Sequence, residues 1–288
     1  MASLMENLSH TYRSLPRWDM AEDIKGVRNC ISNKNYRAIM SGDWDSEETL
    51  REALNDMDDQ EYAEWCLAQN KKFREIAIKD QLLYDVVSRY RHHIIDHGGM
   101  CAEFGVFRGH SINKCASIIP ERQWYGFDSF EGFESDWNTY QDNYSVHKTA
   151  FSLKGGLPKL EHENISLIKG YYSQSLPKFL SGLTPDQYFS LVHIDCDIFE
   201  AAKCIFQNLG NRFIPGTIIV LDESVGLCGI SDVLKAFYDF VRTNDIKFQW
   251  LGSGKGPNEF TVLDRGWIMT HWLFAYKTGM CSSACILQ

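Results

Sequence analysis

The chain has 288 residues, a formal net charge of −9 at pH 7 and nine cysteines. This length suffices for one full α/β domain with an appendage, or for two small domains. The acidic balance argues against a nucleic-acid partner, since phosphate binding needs clustered Lys and Arg, and it favours small, neutral or cationic ligands. The cysteines form no Cys-x-x-Cys pair, so we expect reduced thiols and no zinc site.

The beginning of the sequence is polar and charged, which is unlike a secretory signal, and no apolar run is long enough to cross a bilayer. We therefore expect a cytoplasmic protein without a membrane partner.

Residues 1–98 predict a helical N-terminal extension. Apolar residues recur at helical spacing from Glu61 to His92. His92, His93 and His97 end this run. A metal site is one interpretation, but polar residues at a helix end, where imidazolium suits the helix dipole, explain them better.

Residues 99–280 predict an α/β domain, because β-rich runs alternate with helical runs from Met100 to Leu251, as in parallel strands joined by helical crossovers. Two further β-rich segments, Phe248–Leu251 and Trp272–Tyr276, predict a terminal strand pair. The fold prediction is a Rossmann-like, seven-stranded, mostly parallel sheet. Its other predicted strands are 100–106, 123–128, 165–169, 189–195 and 217–222, and its predicted helices are 110–118, 173–181, 199–209 and 230–243.

Glu103, Gly105 and Gly109 follow the first of these strands in the spacing E-x-G-x-x-x-G. The missing Cβ of a glycine lets a ligand approach the backbone at such a turn. Dinucleotide enzymes have glycine where this chain has Glu103, and a carboxylate there repels a pyrophosphate. The same carboxylate can hold the ammonium group of S-adenosylmethionine, which NAD lacks. The turn thus favours S-adenosylmethionine, and a tight turn that binds nothing is the remaining alternative.

Asp128 follows the second predicted strand of this domain. A carboxylate at that point can accept hydrogen bonds from both hydroxyls of a ribose. The order of strand, glycine turn, helix, strand and acid therefore predicts a ligand that contains adenosine.

Two later apolar strands also end in carboxylates, Asp195 and Asp197 after one and Asp222 and Glu223 at the end of the other. The carboxyl ends of parallel strands meet at one rim, where ligands bind. Four acids there would repel one another unless some are protonated, lysines neutralise them, or they hold a cation. Oxygen ligands favour Mg²⁺, then Mn²⁺ or Ca²⁺. Acids that cap the following helices are the alternative, and Asp197 suits that role.

Five segments together carry a resemblance to a known family. The chain resembles the macrocin (TylF-type) O-methyltransferases over roughly residues 100 to 280. These are class I methyltransferases that use S-adenosylmethionine and Mg²⁺ to methylate sugar hydroxyls of natural products. The matching segments are Glu103–Ser111, Gly126–Gly132, Ile168–Tyr171, His193–Asp197 and Pro215–Glu223.

The resemblance implies a role for individual residues. It makes Asp197 the general base and assigns Mg²⁺, or Mn²⁺, to Asp195, Asp222 and Glu223. The family usually has Asp where this chain has Glu223. The implied cofactor-binding residues are Glu103, Gly105, Gly109, Ser111, Asp128, Ser129, Tyr171 and Asp195.

The segment Phe133–Leu153 differs from the family pattern, and we expect it to form a substrate lid together with the N-terminal extension. The resemblance does not identify the acceptor.

The leading functional hypothesis is an S-adenosylmethionine-dependent O-methyltransferase that acts on a hydroxylated small molecule, in particular a glycoside. An S-adenosylmethionine-binding regulatory or degenerate protein without turnover is the alternative, and the intact set of acids argues against it. A nucleotide-dependent oxidoreductase is disfavoured by Glu103. A homo-oligomer is compatible with the sequence.

Residues 281–288 are interpreted as a tail. Its last four residues, Cys285–Gln288, match a prenylation signal, but so short a match arises easily by chance.

Overall fold

The computed structural model describes residues 59–138, 145–225, 232–255 and 281–288. The first 58 residues of the predicted extension and the predicted strand 272–276 lie outside the described residues.

The sheet strands are β1 (Ala77–Gln81), β2 (Met100–Phe104), β3 (Trp124–Asp128), β6 (Ile165–Lys169), β7 (Phe189–Ile194), β8 (Ile218–Val225), β9 (Phe248–Lys255) and β10 (Cys281–Leu287). Strands β4 (Trp137–Asn138) and β5 (Ser145–Val146) form a separate short hairpin. The helices are α1 (Gln60–Glu75), α2 (Leu82–Arg89), α3 (Arg91–His97), α4 (His110–Ile118), α5 (Tyr172–Ser181), α6 (Phe199–Leu209) and α7 (Asp232–Thr243).

The main sheet has the order β1-β9-β10-β8-β7-β2-β3-β6. Strand β10 runs antiparallel to both of its neighbours, and the other pairings are parallel. Seven of these strands form a sheet of the predicted Rossmann-like kind, and β1 extends it at one edge. The prediction of the fold class is therefore confirmed. The terminal strand pair differs from the prediction, because β9 pairs with β10 and β1 rather than with residues 272–276.

Both faces of the sheet are covered, which explains why its central strands are apolar throughout rather than alternating. All five residues of β2 are buried. Phe104 packs on one face with residues of α1, α5, α6 and α7, whereas Cys101 packs on the other face with residues of α2, α3 and α4. The two hydrophobic cores therefore hold the ends of the central strands in fixed positions.

The N-terminal region is less regular than its helical pattern predicts, because the chain leaves α1 at Ile76 and forms β1. Ala77 pairs with Ser253 of β9, so sheet pairing takes precedence over the helical spacing of the apolar residues here. The described part of the extension thus belongs to the same sheet and cores as the rest of the domain.

His93 and His97 tie the end of α3 to the turn before β8. Nε2 of His93 lies 2.8 Å from the carbonyl oxygen of Gly216, and Nε2 of His97 lies 3.0 Å from that of Pro215. Because a carbonyl oxygen only accepts, these nitrogens donate. The two imidazoles are helix-end groups with backbone partners, as the sequence favoured.

The interpretation of residues 281–288 as a tail is wrong. They form β10, in which Cys285 pairs with Ile219 on one side and Trp250 on the other. Pairing with two neighbours satisfies the backbone of this short segment. Cys285 has no exposed surface, so its thiol is not accessible to a lipid-transferring enzyme. The domain therefore continues through the segment predicted to be a tail.

Among the helices of the described ranges, none combines the length and the apolar character that crossing a bilayer requires.

Deleting residues 281–288 should abolish cooperative unfolding, because it removes the strand between β8 and β9 and exposes both of them. Circular dichroism during urea titration measures this. The substitution Gln288→Ala, at the exposed last position, is the control and should unfold like the wild type. A deletion variant with wild-type stability would contradict the assignment of β10.

Candidate functional site at the carboxyl edge of the sheet

The carboxyl ends of four strands bring the predicted site residues to one edge of the sheet. Phe104 of β2 is in register with Phe127 of β3 and with Ile194 of β7, and Ile194 is in register with Leu221 of β8. The residues that follow these positions are Gly105, Asp128, Asp195 and Asp222, so the predicted convergence of the glycine turn and the acids is a property of the fold.

The glycine turn is shaped by a contact within the protein. Gly105 has φ +96°, and a Cβ atom at this residue would lie 1.6 Å from the carbonyl oxygen of Asp195. Asp195 also donates its N–H to the carbonyl of Phe104 at 2.8 Å. The backbone of Asp195, rather than a ligand, occupies the space that the missing Cβ leaves. Contact of Gly105 with a cofactor stays a prediction.

Gly109 has φ +77° and immediately precedes α4. The glycine requirement here is conformational, since a side chain strains this region of backbone geometry.

Glu103 is fully buried, and both of its carboxylate oxygens have partners. Oε1 accepts from the hydroxyl of Ser111 at 2.9 Å, and Oε2 lies 3.0 Å from Nδ1 of His193, which is also fully buried. Contact of Glu103 with the ammonium group of a cofactor stays a prediction. Its geometry is that of a residue that orients Ser111 in the first turn of α4.

Asp128 accepts two backbone N–H bonds at 2.7 Å, from Phe107 of the glycine turn to Oδ2 and from Phe130 to Oδ1. Burial raises the pKa of this carboxyl, and the backbone donors partly offset that effect. Each carboxylate oxygen can accept a second hydrogen bond, so the group retains capacity for two ligand hydroxyls.

Ser129 and Tyr171 occupy turns beside this edge. The hydroxyl of Ser129 donates to the carbonyl of Gly132 at 2.5 Å and accepts from the N–H of Glu131 at 3.0 Å, which accounts for its burial as a turn-stabilising residue. Tyr171 is the residue before α5, and its carbonyl accepts from the N–H of Ser175 at 2.9 Å. Cofactor contacts of both residues stay predictions.

Asp197 lies between β7 and α6 and has φ +59°, an unusual value for a residue with a side chain. Asp tolerates this conformation better than most residues, and strained backbone of this kind is frequent at functional sites. The N–H of Ile198 bonds to the carbonyl of Cys196 at 2.6 Å, which fixes the short turn on either side of Asp197.

The structure describes the side chain of the predicted metal ligand Asp222 but not that of Glu223. Asp222 is buried and its Oδ1 accepts a hydrogen bond from Ser282 of β10. The backbone of Glu223 lies in β8, but its side chain is outside the described part of the chain. Among the residues described, no group of three His, Cys, Asp or Glu side chains is arranged to hold a metal. The metal site stays a prediction.

Tyr172 is a member of this edge that the predicted set of site residues omits. Burial is the main cause that raises the pKa of its hydroxyl, and the negative charges of Asp128, Asp195 and Asp197 raise it further. The pKa of this one partly buried phenol is therefore affected by three of the predicted acids. Its position directly after Tyr171, at the end of a strand, is the sequence signal for it.

Asp232 is a second residue that the sequence analysis missed. It is 8% exposed, and its Oδ2 accepts from the indole N–H of Trp137 at 3.0 Å. Burial raises the pKa of this carboxyl from 3.8 to about 6, although the bonds from Trp137 and from the N–H of Phe199 oppose the shift. In the sequence, an acid at the start of a helix is typically interpreted as an exposed residue that suits the helix dipole. The pattern therefore does not indicate that Asp232 is buried and binds Trp137.

Residues 102–224 match a family model described as a methyltransferase domain. The matched segment runs from β2 into β8 and contains the glycine turn and the four acids, but it is less than half of the chain. No match was found among curated protein sequences.

Solved structures that are similar to the chain include methyltransferases. The calicheamicin methyltransferase CalS11 is 16% identical with a TM-score of 0.44, over 71% of this chain and 86% of that one. The O-methyltransferase NovP is 16% identical with a TM-score of 0.43, over 58% and 74%. An O-methyltransferase from Bacillus cereus in complex with SAH is 12% identical with a TM-score of 0.45, over 80% and 90%. Scores of this size assign no activity or ligand.

The raised pKa of Asp232 predicts a pH-dependent cost to stability. Between pH values near 4 and 6 the folded protein holds this proton more tightly than the unfolded chain does, so stability is lost as the pH rises. Asp232→Asn removes this dependence. The free energy of unfolding of the variant, relative to that of the wild type, should increase by about 2 kcal/mol from about pH 4.5 to about pH 7.5.

Urea unfolding of both proteins across this pH range measures the difference. Asp245→Asn, at an exposed position after α7, is the control, since its side chain is hydrated before and after unfolding. A difference between wild type and Asp232→Asn that does not change with pH would contradict the effect of burial on Asp232.

Proposed function

We propose that the protein is an S-adenosylmethionine-dependent methyltransferase that transfers a methyl group to a hydroxyl of a small-molecule acceptor. The observation that carries this proposal is the position of Asp128. Its carboxylate is fixed to the glycine turn by the N–H of Phe107 and retains capacity for two further hydrogen bonds. The match of residues 102–224 to a methyltransferase domain supports the same conclusion.

The proposed cofactor site lies along the turn between β2 and α4. Asp128 would accept the two ribose hydroxyls, and Ser111, held by Glu103, would contact the methionine end. Gly105, Gly109, Ser129, Tyr171 and Asp195 complete the proposed set. Several carboxylates at this edge favour a ligand whose ammonium and sulfonium groups are positive, and they disfavour the pyrophosphate of NAD.

The cofactor supplies a methyl group that is activated on a positively charged sulfur. The task of the chain is to orient the acceptor oxygen in line with that methyl group, since well-oriented reactants gain several kcal/mol, roughly 7–11 at best. We assign proton removal to Asp197, which lies in a tight turn directly after Asp195 and Cys196, the residues whose backbone contacts Gly105. The proton of the acceptor hydroxyl would pass to this carboxylate, a step that contributes about 10²- to 10⁴-fold in general-base catalysis.

We also propose that Asp195, Asp222 and Glu223 hold Mg²⁺, or Mn²⁺. Ser282 would orient the carboxylate of Asp222, and oxygen-only ligands suit a hard cation. A bound cation would lower the pKa of an acceptor hydroxyl, as it lowers that of water.

The acceptor class that the family resemblance favours, and that we propose here, is a glycoside or another hydroxylated small molecule. A protein that binds the cofactor without turnover is the second candidate. The presence of all four acids, Asp195, Asp197, Asp222 and Glu223, argues against this candidate.

Two substitutions separate cofactor binding from chemistry. Asp128→Asn should weaken S-adenosylhomocysteine about tenfold or more, because a charged acceptor of hydroxyl hydrogen bonds is lost. Asp197→Asn should bind it within about twofold of the wild type and lose about 10²-fold or more in turnover. Calorimetric titration measures the affinity, and transfer of labelled methyl groups to a panel of glycosides and catechols, with Mg²⁺ or with chelator, measures turnover.

Wild-type affinity in Asp128→Asn would contradict the placement of the ribose. Turnover by Asp197→Asn at the wild-type rate would exclude it as the base. Tight binding by the wild type without transfer to any acceptor would favour the protein without turnover.

A further inference from the structure

Four half-buried aromatic side chains form a continuous row across the segment between β3 and β6. The ring of Phe107 lies 5.6 Å from that of Phe151, the ring of Phe151 lies 5.7 Å from that of Phe133, and the ring of Phe133 lies 6.0 Å from that of Trp137. All of these pairs meet at steep angles, as aromatic pairs prefer. We call these four residues the aromatic row.

The aromatic row begins and ends at the candidate site. Phe107 belongs to the glycine turn and donates its N–H to Asp128. Trp137, at the other end, donates its indole N–H to Asp232, and Asp232 also accepts the N–H of Phe199. Phe199 is the first residue of α6, directly after the turn that contains Asp195 and Asp197.

A second contact holds the same segment on the opposite side of that turn. The hydroxyl of Ser173, in the first turn of α5, donates to Oε1 of Glu134 at 3.1 Å. Glu134 and Trp137 therefore attach the segment to helices that follow two different strands of the sheet. The aromatic row is held across the carboxyl edge rather than beside it.

Burial of Asp232 is costly, since a buried carboxylate loses its hydration. The hydrogen bond that Asp232 accepts from Trp137 partly offsets this loss of hydration. Rings with partly exposed faces are the usual lining of sites for flat, apolar ligand groups, and a few polar groups set their orientation.

We propose that Asp232 is a positioning residue that holds Trp137, and with it the aromatic row, as one wall of the acceptor site. The acceptor then carries a planar apolar group close to its reacting hydroxyl. This inference rests on the proposed function, because it places the acceptor beside the cofactor edge.

Two probes that differ only in the planar group test this inference. They are 4-nitrophenyl β-D-glucopyranoside and methyl β-D-glucopyranoside, each titrated by ligand-detected NMR into wild-type protein saturated with S-adenosylhomocysteine. The wild type should bind the nitrophenyl probe about fivefold or more tightly than the methyl probe, which corresponds to about 1 kcal/mol for one ring contact.

The variants Trp137→Phe, Asp232→Ala and the double variant then test the positioning role. Each single variant should lose most of the preference for the nitrophenyl probe while its affinity for S-adenosylhomocysteine changes less than about twofold. The double variant should lose no more than either single one, because both remove the same hydrogen bond. Trp250→Phe is the matched control. Trp250 lies near the start of β9, away from the carboxyl edge, and its indole N–H donates to Gln69 of α1 at 2.9 Å. The substitution removes this hydrogen bond and should leave the wild-type preference unchanged.

A wild type without preference between the probes would overturn the inference, as would variants that keep the preference. The wild-type comparison decides the matter if the variants fail to fold. Failure of the wild type to bind S-adenosylhomocysteine would contradict the proposed function, a result distinct from the loss of probe preference.

Discussion

The geometry of the site depends on one close approach of the backbone to itself. The carbonyl oxygen of Asp195 lies where the Cβ of any other residue at Gly105 would be. This contact joins the turn after β2 to the turn after β7, and the hydrogen bond from Asp195 to Phe104 closes it. Because the two turns are in contact, Asp128 at the end of β3 and Asp222 in β8 lie at the same edge of the sheet as these turns. A side chain at Gly105 would separate the proposed cofactor edge from the proposed acidic edge.

Neutral donors hold several of the acids at this edge. Backbone N–H groups bind Asp128, a serine hydroxyl binds Asp222 and an indole N–H binds Asp232. Hydrogen bonds from neutral groups stabilise a carboxylate without cancelling its charge, so negative potential persists where these groups lie. This potential supports the proposal that the edge binds a positively charged ligand, an organic sulfonium or a metal ion. The phenol of Tyr172 resists ionisation mainly because it is withdrawn from water, and the negative charges of Asp128, Asp195 and Asp197 raise its pKa further.

The sequence predicts those features that depend on local patterns. Strand ends are marked by apolar runs followed by glycine or acid, so the positions of Gly105, Asp128 and Asp195 at one edge follow from topology alone. The pattern could not predict that Gly105 is required by Asp195, since that contact joins residues far apart in the chain. The burial of Glu103 between Ser111 and His193 has the same origin. The spacing E-x-G-x-x-x-G is the same whether Glu103 contacts a ligand itself or supports the residues that do.

Other differences arise from competition between interactions. Helix α1 ends before Ile76 although the helical spacing of apolar residues continues, because the residues that follow pair with β9 as the edge strand β1. Cys285 belongs to a terminal pattern that matches a lipid signal, yet two neighbouring strands bind its backbone and bury its side chain. Asp232 acquires its raised pKa and its partner Trp137 only in the folded chain. Each outcome is decided by contacts that no local pattern encodes.

The central claim is that this edge binds a cofactor with a positively charged methionine end. Thermal unfolding of metal-stripped wild-type protein with S-adenosylhomocysteine, and separately with NAD, tests it most directly. A ligand at about a hundred times its dissociation constant stabilises the folded state by roughly 2.7 kcal/mol, which raises the midpoint by a few degrees. The account predicts this shift with S-adenosylhomocysteine and none with NAD. A shift with NAD alone, or with neither compound, would contradict it.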